Sequence, residues 1–215
     1  MRENFETSLA LTLHHEGGWS DHPKDPGGAT NMGVTIGTLK RLGIDVDGDG
    51  DSDIADLRKL RPVDVERVYR AFYWDAVRAD LLPAGVDLAV FDFAVNSGPA
   101  RAARMLQLAV GAADDGDIGP QTLAALAKKA PESVVSAVSE KRLRFLRSLK
   151  TWGTFGKGWQ RRVEEVERAA LELAQAPPVK KPAAEAPPPV KAARQPTSWA
   201  AFVVWILSLI KGSKK

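Results

Sequence analysis

The chain contains no cysteine, so it forms neither a disulfide framework nor a thiolate metal site, and its redox compartment stays open. It has no apolar run of about 18 residues, the length of a standard membrane-crossing helix. The N-terminal residues 1–15 place Arg2, Glu3 and Glu6 among apolar side chains and offer no small-residue cleavage site, so they do not read as a signal peptide. Action outside the cytoplasm then needs another means of release. No segment repeats, so a solenoid is not expected.

What remains is a chain of 215 residues, 44% of them hydrophobic, enough for one sizeable core or two small ones. The net charge of +3 is unevenly placed. From Pro177 onward there are seven Lys/Arg and one Glu, a net of +6, which leaves −3 for everything before. A basic tail on an acidic body argues against a nucleic-acid-binding domain and fits attraction to an anionic surface such as a membrane or cell wall.

Apolar periodicity predicts a mainly α fold. Residues 3–15 carry Phe5, Leu9, Thr12 and Leu13 on one helical face, and Gly17 and Gly18 end that helix. Loop follows from Ser20 to Gly33, then a short helix near Thr35–Leu42. Pro62 opens a helix with Val65, Val68 and Phe72 inward, and Trp74 a candidate beside them. The run Val86–Val95 fits a buried helix, although the spacing of Asp87 and Asp92 leaves a strand open. Further helices are expected at 100–110, 120–129, 131–149 and 159–175, with a turn at the 114–119 loop. Beyond Ala176 the composition shifts to a Pro/Ala/Lys linker.

The segment from His15 to Thr35 carries the chemistry. Glu16 follows a helical run, then come two glycines, Trp19, and a polar loop with Asp21, Asp25 and Thr30. A carboxyl at a helix C-terminus meets the negative end of the helix dipole, and burial against Trp19 acts in the same direction; both favour the protonated form that a general acid needs. The same residues also allow a solvated Glu16, an Asp-Pro turn at Asp25 and a loop hydrogen bond at Thr30. His14 and His15 are neighbours and point apart on a helix, which argues against a zinc site with His22.

Glu16-Gly17-Gly18-Trp19, Asp25-Pro26-Gly27-Gly28-Ala29-Thr30 and Met32-Gly33-Val34-Thr35 closely resemble the start of the glycoside hydrolase family 108 muramidases, lysozyme-like phage endolysins and secretion-associated peptidoglycan hydrolases. The family often has Tyr where this chain has Met32. Ala94-Val95-Asn96-Ser97-Gly98-Pro99, Leu106-Gln107 and Asp115–Leu123 resemble the predicted peptidoglycan-binding module paired with that domain. Composition marks a linker over 176–197 and a hydrophobic membrane-associating segment over 198–212; the resemblance implies a lysozyme-like helical catalytic domain over 1–95 and a small helical wall-binding module over 96–175. It implies cleavage of the β-1,4 bond between N-acetylmuramic acid and N-acetylglucosamine, with Glu16 as acid, Asp25 stabilising the oxocarbenium-like state or activating water, and Thr30 orienting that water. Trp19, Asn96 and Trp152 are the candidate substrate-binding residues. No cofactor is expected for catalysis. Two alternatives stand beside this reading: a non-catalytic, membrane-tethered wall-binding scaffold, and a lytic transglycosylase.

Residues 45–56 hold Asp45, Asp47, Asp49, Asp53 and Asp56 at positions 1, 3, 5, 9 and 12 of a calcium loop, with Gly50 at position 6. Asp51, at position 7, contributes through its backbone carbonyl. The loop ends in Asp, as dockerin-type loops do, and its Ca2+ is expected to be structural; a single loop makes a calcium sensor a poor reading. Trp199–Ile210 is twelve apolar residues flanked by lysines, about 18 Å as a helix against a hydrocarbon core of about 30 Å. It is expected to associate with a membrane, spanning a thinned bilayer or dipping into one leaflet. The expected setting is a phage or prophage lysis system, made in the cytoplasm, released by a holin or another export system, and acting at the bacterial wall or periplasm on peptidoglycan.

Overall fold

The structure is a computed structural model and describes residues 2–15, 19 and 29–176. The linker and hydrophobic segment expected beyond Ala176 lie outside the described residues. In order come α1 (Arg2–His15), a hairpin of β1 (Thr30–Asn31) and β2 (Val34–Thr35), α2 (Ile36–Leu42), α3 (Ile54–Arg58), α4 (Pro62–Tyr69), α5 (Val86–Ser97), α6 (Pro99–Val110), α7 (Pro120–Leu126), α8 (Pro131–Arg147) and α9 (Trp152–Gln175). Residues 70–74 continue α4 as a wider π turn, and residues 79–81 form a 3₁₀ turn. Four helices begin with proline in the first turn, at Pro62, Pro99, Pro120 and Pro131. There the missing N–H costs nothing, and the fixed φ already suits a helix.

The centre is α5. Every residue from Val86 to Ala94 is buried, and α1, α6, α8 and α9 all pack on it. A helix that is apolar all round belongs inside, so the run is a helix rather than a strand. Gly85, at φ +84°, starts it; a Cβ there would run into the carbonyl of Ala170 on α9, so this glycine permits the approach of the two helices. Phe5 of α1, Trp74 of the π turn and Phe91 of α5 meet edge to face, with ring centres 5.2–5.9 Å apart.

Two acids interrupt α5's apolar surface, and both bind α1. Asp87 accepts a hydrogen bond from Asn4 at 2.7 Å and one from the Leu88 N–H at 2.8 Å. Burial pushes its pKa up, and those bonds oppose the rise. Asp92 is fully buried and holds three partners. Arg142 of α8 lies at 2.7 Å, the Nη2 of Arg162 of α9 at 2.8 Å, and the Thr12 hydroxyl of α1 at 3.2 Å. Burial alone would raise the Asp92 carboxyl. The two guanidinium groups overcome that and hold it at about 2. Burial pulls Arg142 down in turn, but an arginine keeps its charge in a protein. Four helices are thereby fastened at one carboxylate.

Three elements depart from the sequence expectation. The hairpin and α3 were not anticipated, and α9 starts at Trp152 rather than at 159. Glycines at 153, 156 and 158 disguise the first turns of α9, because glycine disfavours a helix interior.

Replacing Asp92 by Asn leaves two guanidinium groups without a full counter-charge. Urea unfolding at pH 7 is expected to show a loss of about 3–5 kcal/mol. The Asp92 pKa is depressed on folding, so its stabilisation, about 2 kcal/mol, is complete above its ordinary value of 3.8 and is lost as pH falls through about 2. Asp92→Asn is expected to lack this acid-dependent component.

Candidate active site

The frame of the site is the C-terminal end of α1 and the hairpin that comes next in sequence. Glu16 and Asp25 lie outside the described residues. His15, the last residue of α1, precedes Glu16 in the chain. Its Nε2 lies 3.6 Å from a Glu165 carboxylate oxygen on α9. Burial, then the charge of Arg162, lowers the His15 pKa, which keeps its ring neutral near pH 7. The end of α1 therefore rests beside the Asp92–Arg162 pair.

Thr30 opens the hairpin and pairs with Thr35, while Asn31 pairs with Val34. Met32 and Gly33 form the turn with φ +49° and +73°; two successive left-handed residues match the right-handed twist of the strands. Gly33 adopts this freely, whereas Met32 is held there. The Tyr69 hydroxyl donates to the Met32 carbonyl at 3.0 Å, and the Asn31 amide donates to the Leu57 carbonyl at 2.8 Å. Thr30, half-buried, is thus carried on a hairpin anchored to α3 and α4.

Trp19 is 40% exposed, and the Arg58 guanidinium sits over its ring at 4.8 Å. Asn96 lies one turn beyond Asp92 on α5, half-buried, and its side-chain oxygen accepts from the Ser97 hydroxyl at 3.1 Å. Trp152 stands in the first turn of α9, and its indole lies across Gly156. Trp74 is core: it is fully buried and donates its ring N–H to Asp80 at 3.0 Å.

The acidic loop is self-organised. Asp45 accepts from the N–H groups of Gly48 at 2.6 Å and Gly50 at 3.0 Å, the bonds that wrap the chain around its first carboxylate. Asp53 caps α3 through the Ala55 N–H at 2.6 Å. Asp56 is buried and accepts three N–H bonds, from Val46 and Asp47 on one oxygen and Asp53 on the other. Those bonds, led by that from Asp53, lower its pKa. The carboxylates gather in two sets, Asp45 with Asp47 and Asp49, and Asp51 with Asp53 and Asp56, each within 4.8 Å. Lys59 reaches Asp47 at 3.0 Å. Asp51 is pushed up, chiefly by Asp49. Each set offers carboxylate oxygens, the ligand type that hard cations take. The 114–119 loop is a turn before α7, pinned by the buried Gln107, which donates to the Asp117 carbonyl at 2.9 Å and accepts from the Gly116 N–H at 2.9 Å.

The Asp92 cluster escaped the sequence reading, because its partners lie 50 and 70 residues away. The available signal was the acid itself: a carboxylate in an apolar helix requires hydrogen-bond donors or an opposite charge beside it.

Residues 9–98 match the family model described as glycosyl hydrolase 108, and residues 101–164 match a predicted peptidoglycan domain. A solved structure titled as that of SagA of Brucella abortus is 43% identical, covers 82% of this chain and 98% of its own, and superposes with a TM-score of 0.71. No curated protein matches.

In metal-free buffer, Asp56→Asn is expected to lower the melting temperature by removing charged acceptors from three backbone N–H groups. Asp51→Asn is expected to raise it by relieving repulsion. Thermal scans by circular dichroism check both.

Proposed function

The chain belongs to the glycosyl hydrolase 108 family, and from that premise we propose that it is an N-acetylmuramidase with Glu16 as its general acid. That it is a peptidoglycan hydrolase with a mainly α, lysozyme-like fold follows from the family and from the peptidoglycan domain that adjoins it. The bond cleaved and the acid are the proposal. The observation that carries it is the anchoring of α1: Asn4 and Thr12 bind the two acids of α5, so the helix that ends one residue before Glu16 has a fixed direction.

In this reading the Glu16 carboxyl gives its proton to the glycosidic oxygen as the bond to the muramic acid anomeric carbon breaks. The dipole of α1 favours the protonated acid beforehand. Asp25 stabilises the oxocarbenium-like carbon or takes a proton from the attacking water, and Thr30 orients that water. The net reaction adds one water across the bond. Trp19, Asn96 and Trp152 bind the glycan strand. Support for Thr30 is its hairpin, held by the bond from Asn31 to Leu57 and the bond from Tyr69 to the Met32 carbonyl.

The acidic loop, in this proposal, binds structural calcium through Asp45, Asp47, Asp49, Asp53 and Asp56, with the Asp51 carbonyl completing the set. Support comes from the turn geometry at Gly48 and Gly50 and the bonds from their N–H groups to Asp45. The segment 198–212 is proposed to attach the protein to a membrane; among the described residues no helix is long and apolar enough to cross one. A phage or prophage lysis system, with release by a holin or another export route to the wall, is the proposed setting.

Digestion of purified peptidoglycan by wild type beside Glu16→Gln, with mass spectrometry of the products, tests the assignment. Reducing muramic acid ends are expected from wild type, with a fall of about 10²–10⁴-fold in the variant. Anhydro-muramic ends would indicate a transglycosylase, and wall binding without cleavage a scaffold. Calcium is expected to raise the melting temperature of EGTA-treated protein; an unchanged value removes the metal from the account.

A further inference from the structure

One apolar stripe runs the length of α9. Its C-terminal part, Val163, Val166 and Ala170, is buried. Its N-terminal continuation at the same helical spacing is Trp152, Phe155 and Trp159. Phe155 is 53% exposed, and the two indoles are half-buried. The rings form a continuous surface: Trp159 lies 6.3 Å from Trp152 and 5.7 Å from Phe155, centre to centre. From the first to the last ring the surface covers about 10 Å of helix axis.

The glycines among them shape this surface. A Cβ on Gly156 would come within 2.6 Å of the Trp152 indole, so glycine lets that ring lie flat on the helix. Gly153 and Gly158 face open space, where a side chain would fit. Glycine there weakens the helix without relieving any clash. The charge nearby is positive. The Arg147 guanidinium lies 5.8 Å from the Trp152 ring, and Lys150 and Lys157 are exposed beside it in sequence.

We propose that Trp152, Phe155 and Trp159 form a sugar-stacking platform that holds the wall glycan away from the point of cleavage. The proposal rests on the peptidoglycan reading of this region, since the matched peptidoglycan domain ends at residue 164 and contains all three rings. The chemistry fits in two respects. A pyranose presents an apolar C–H face that packs on an aromatic face, and the platform is longer than a single ring. The carboxylates of the stem peptides, or the lactyl carboxylates freed where those peptides are removed, find the cationic rim. Trp152 and Trp159 are half-buried while Phe155 is exposed, so Phe155 is the cleanest probe.

The test is cosedimentation of the full-length protein with purified peptidoglycan sacculi, run beside a cleavage assay. Phe155→Ala and Trp159→Ala are each expected to bind about tenfold more weakly, with unchanged circular dichroism, as when one aromatic anchor leaves an interface. Phe155→Tyr is expected to keep binding, whereas Phe155→Leu, apolar but without a ring, is expected to lose it. Sacculi stripped of stem peptides are expected to retain ring-dependent binding. Parent-like binding by Phe155→Ala and Trp159→Ala overturns the proposal, as does equal binding by Phe155→Leu and Phe155→Tyr. Loss of ring dependence on stripped sacculi does the same, because the occupant is then the peptide. A parent dimer that the variants disrupt, with wall binding intact, makes a second copy the occupant and also overturns it. The two readings separate cleanly: ring-dependent binding without cleavage removes the muramidase and supports the platform, while cleavage with ring-independent binding removes the platform alone.

Discussion

A carboxylate buried among four helices, with two guanidinium groups to neutralise it, is the constraint on which the rest of this protein depends. Asp92 lies inside α5 and joins α1, α8 and α9 through Thr12, Arg142 and Arg162. Apolar packing fills the space between these helices but is tolerant of sliding, since one aliphatic contact resembles another. Charged hydrogen bonds are not tolerant: displacing any partner leaves a buried charge in a medium that cannot solvate it. The cluster contributes less net stability than its short bonds suggest, because desolvation offsets much of the attraction. Its value lies in fixing the register of α1 against α5.

That register matters for the proposed function because these helices carry or precede the residues to which it assigns roles. The chain runs from α1 into Glu16, Asn96 lies in the last turn of α5, and α8 is followed by the basic rim beside the aromatic rings of α9. The family match divides between residues 98 and 101, yet helices on both sides share one hydrophobic core. The region matching the hydrolase and the region matching the wall-binding domain are therefore held by the same buried charges. The hairpin bearing Thr30 is tied separately, to α3 and α4, and the acidic loop leads into α3 through Asp53 and Asp56. A cation at that loop would act on the hairpin through α3, whose Leu57 carbonyl receives Asn31.

Much of the helical framework was legible in the sequence, since its signals are local. Pro62 and Pro131 marked helix starts, and Val65, Val68, Val134 and Val138 marked inward faces; all four valines are buried. The hairpin was hidden because its strands have two residues each and Met32 is an unusual occupant of a left-handed turn position. The first turns of α9 were hidden by their glycines, whose role emerges only when Trp152 is seen lying on Gly156. Asp92 was visible as an anomaly, but its partners were not, because pairing over 50 and 70 residues leaves no periodic trace. At the candidate site, Thr30 and Trp19 were named from sequence and take places in the described frame. Glu16 and Asp25 rest on sequence pattern and family.

The central claim is that Asp92 is ionised and doubly paired in the folded protein. A carbon-13 carboxyl NMR titration, with the resonance assigned by its disappearance in Asp92→Asn, measures this directly. A midpoint near 2 is predicted. A midpoint at or above the ordinary aspartate value of 3.8 would mean that the arginines do not hold the carboxylate, and the account of how α1 is fixed would fail.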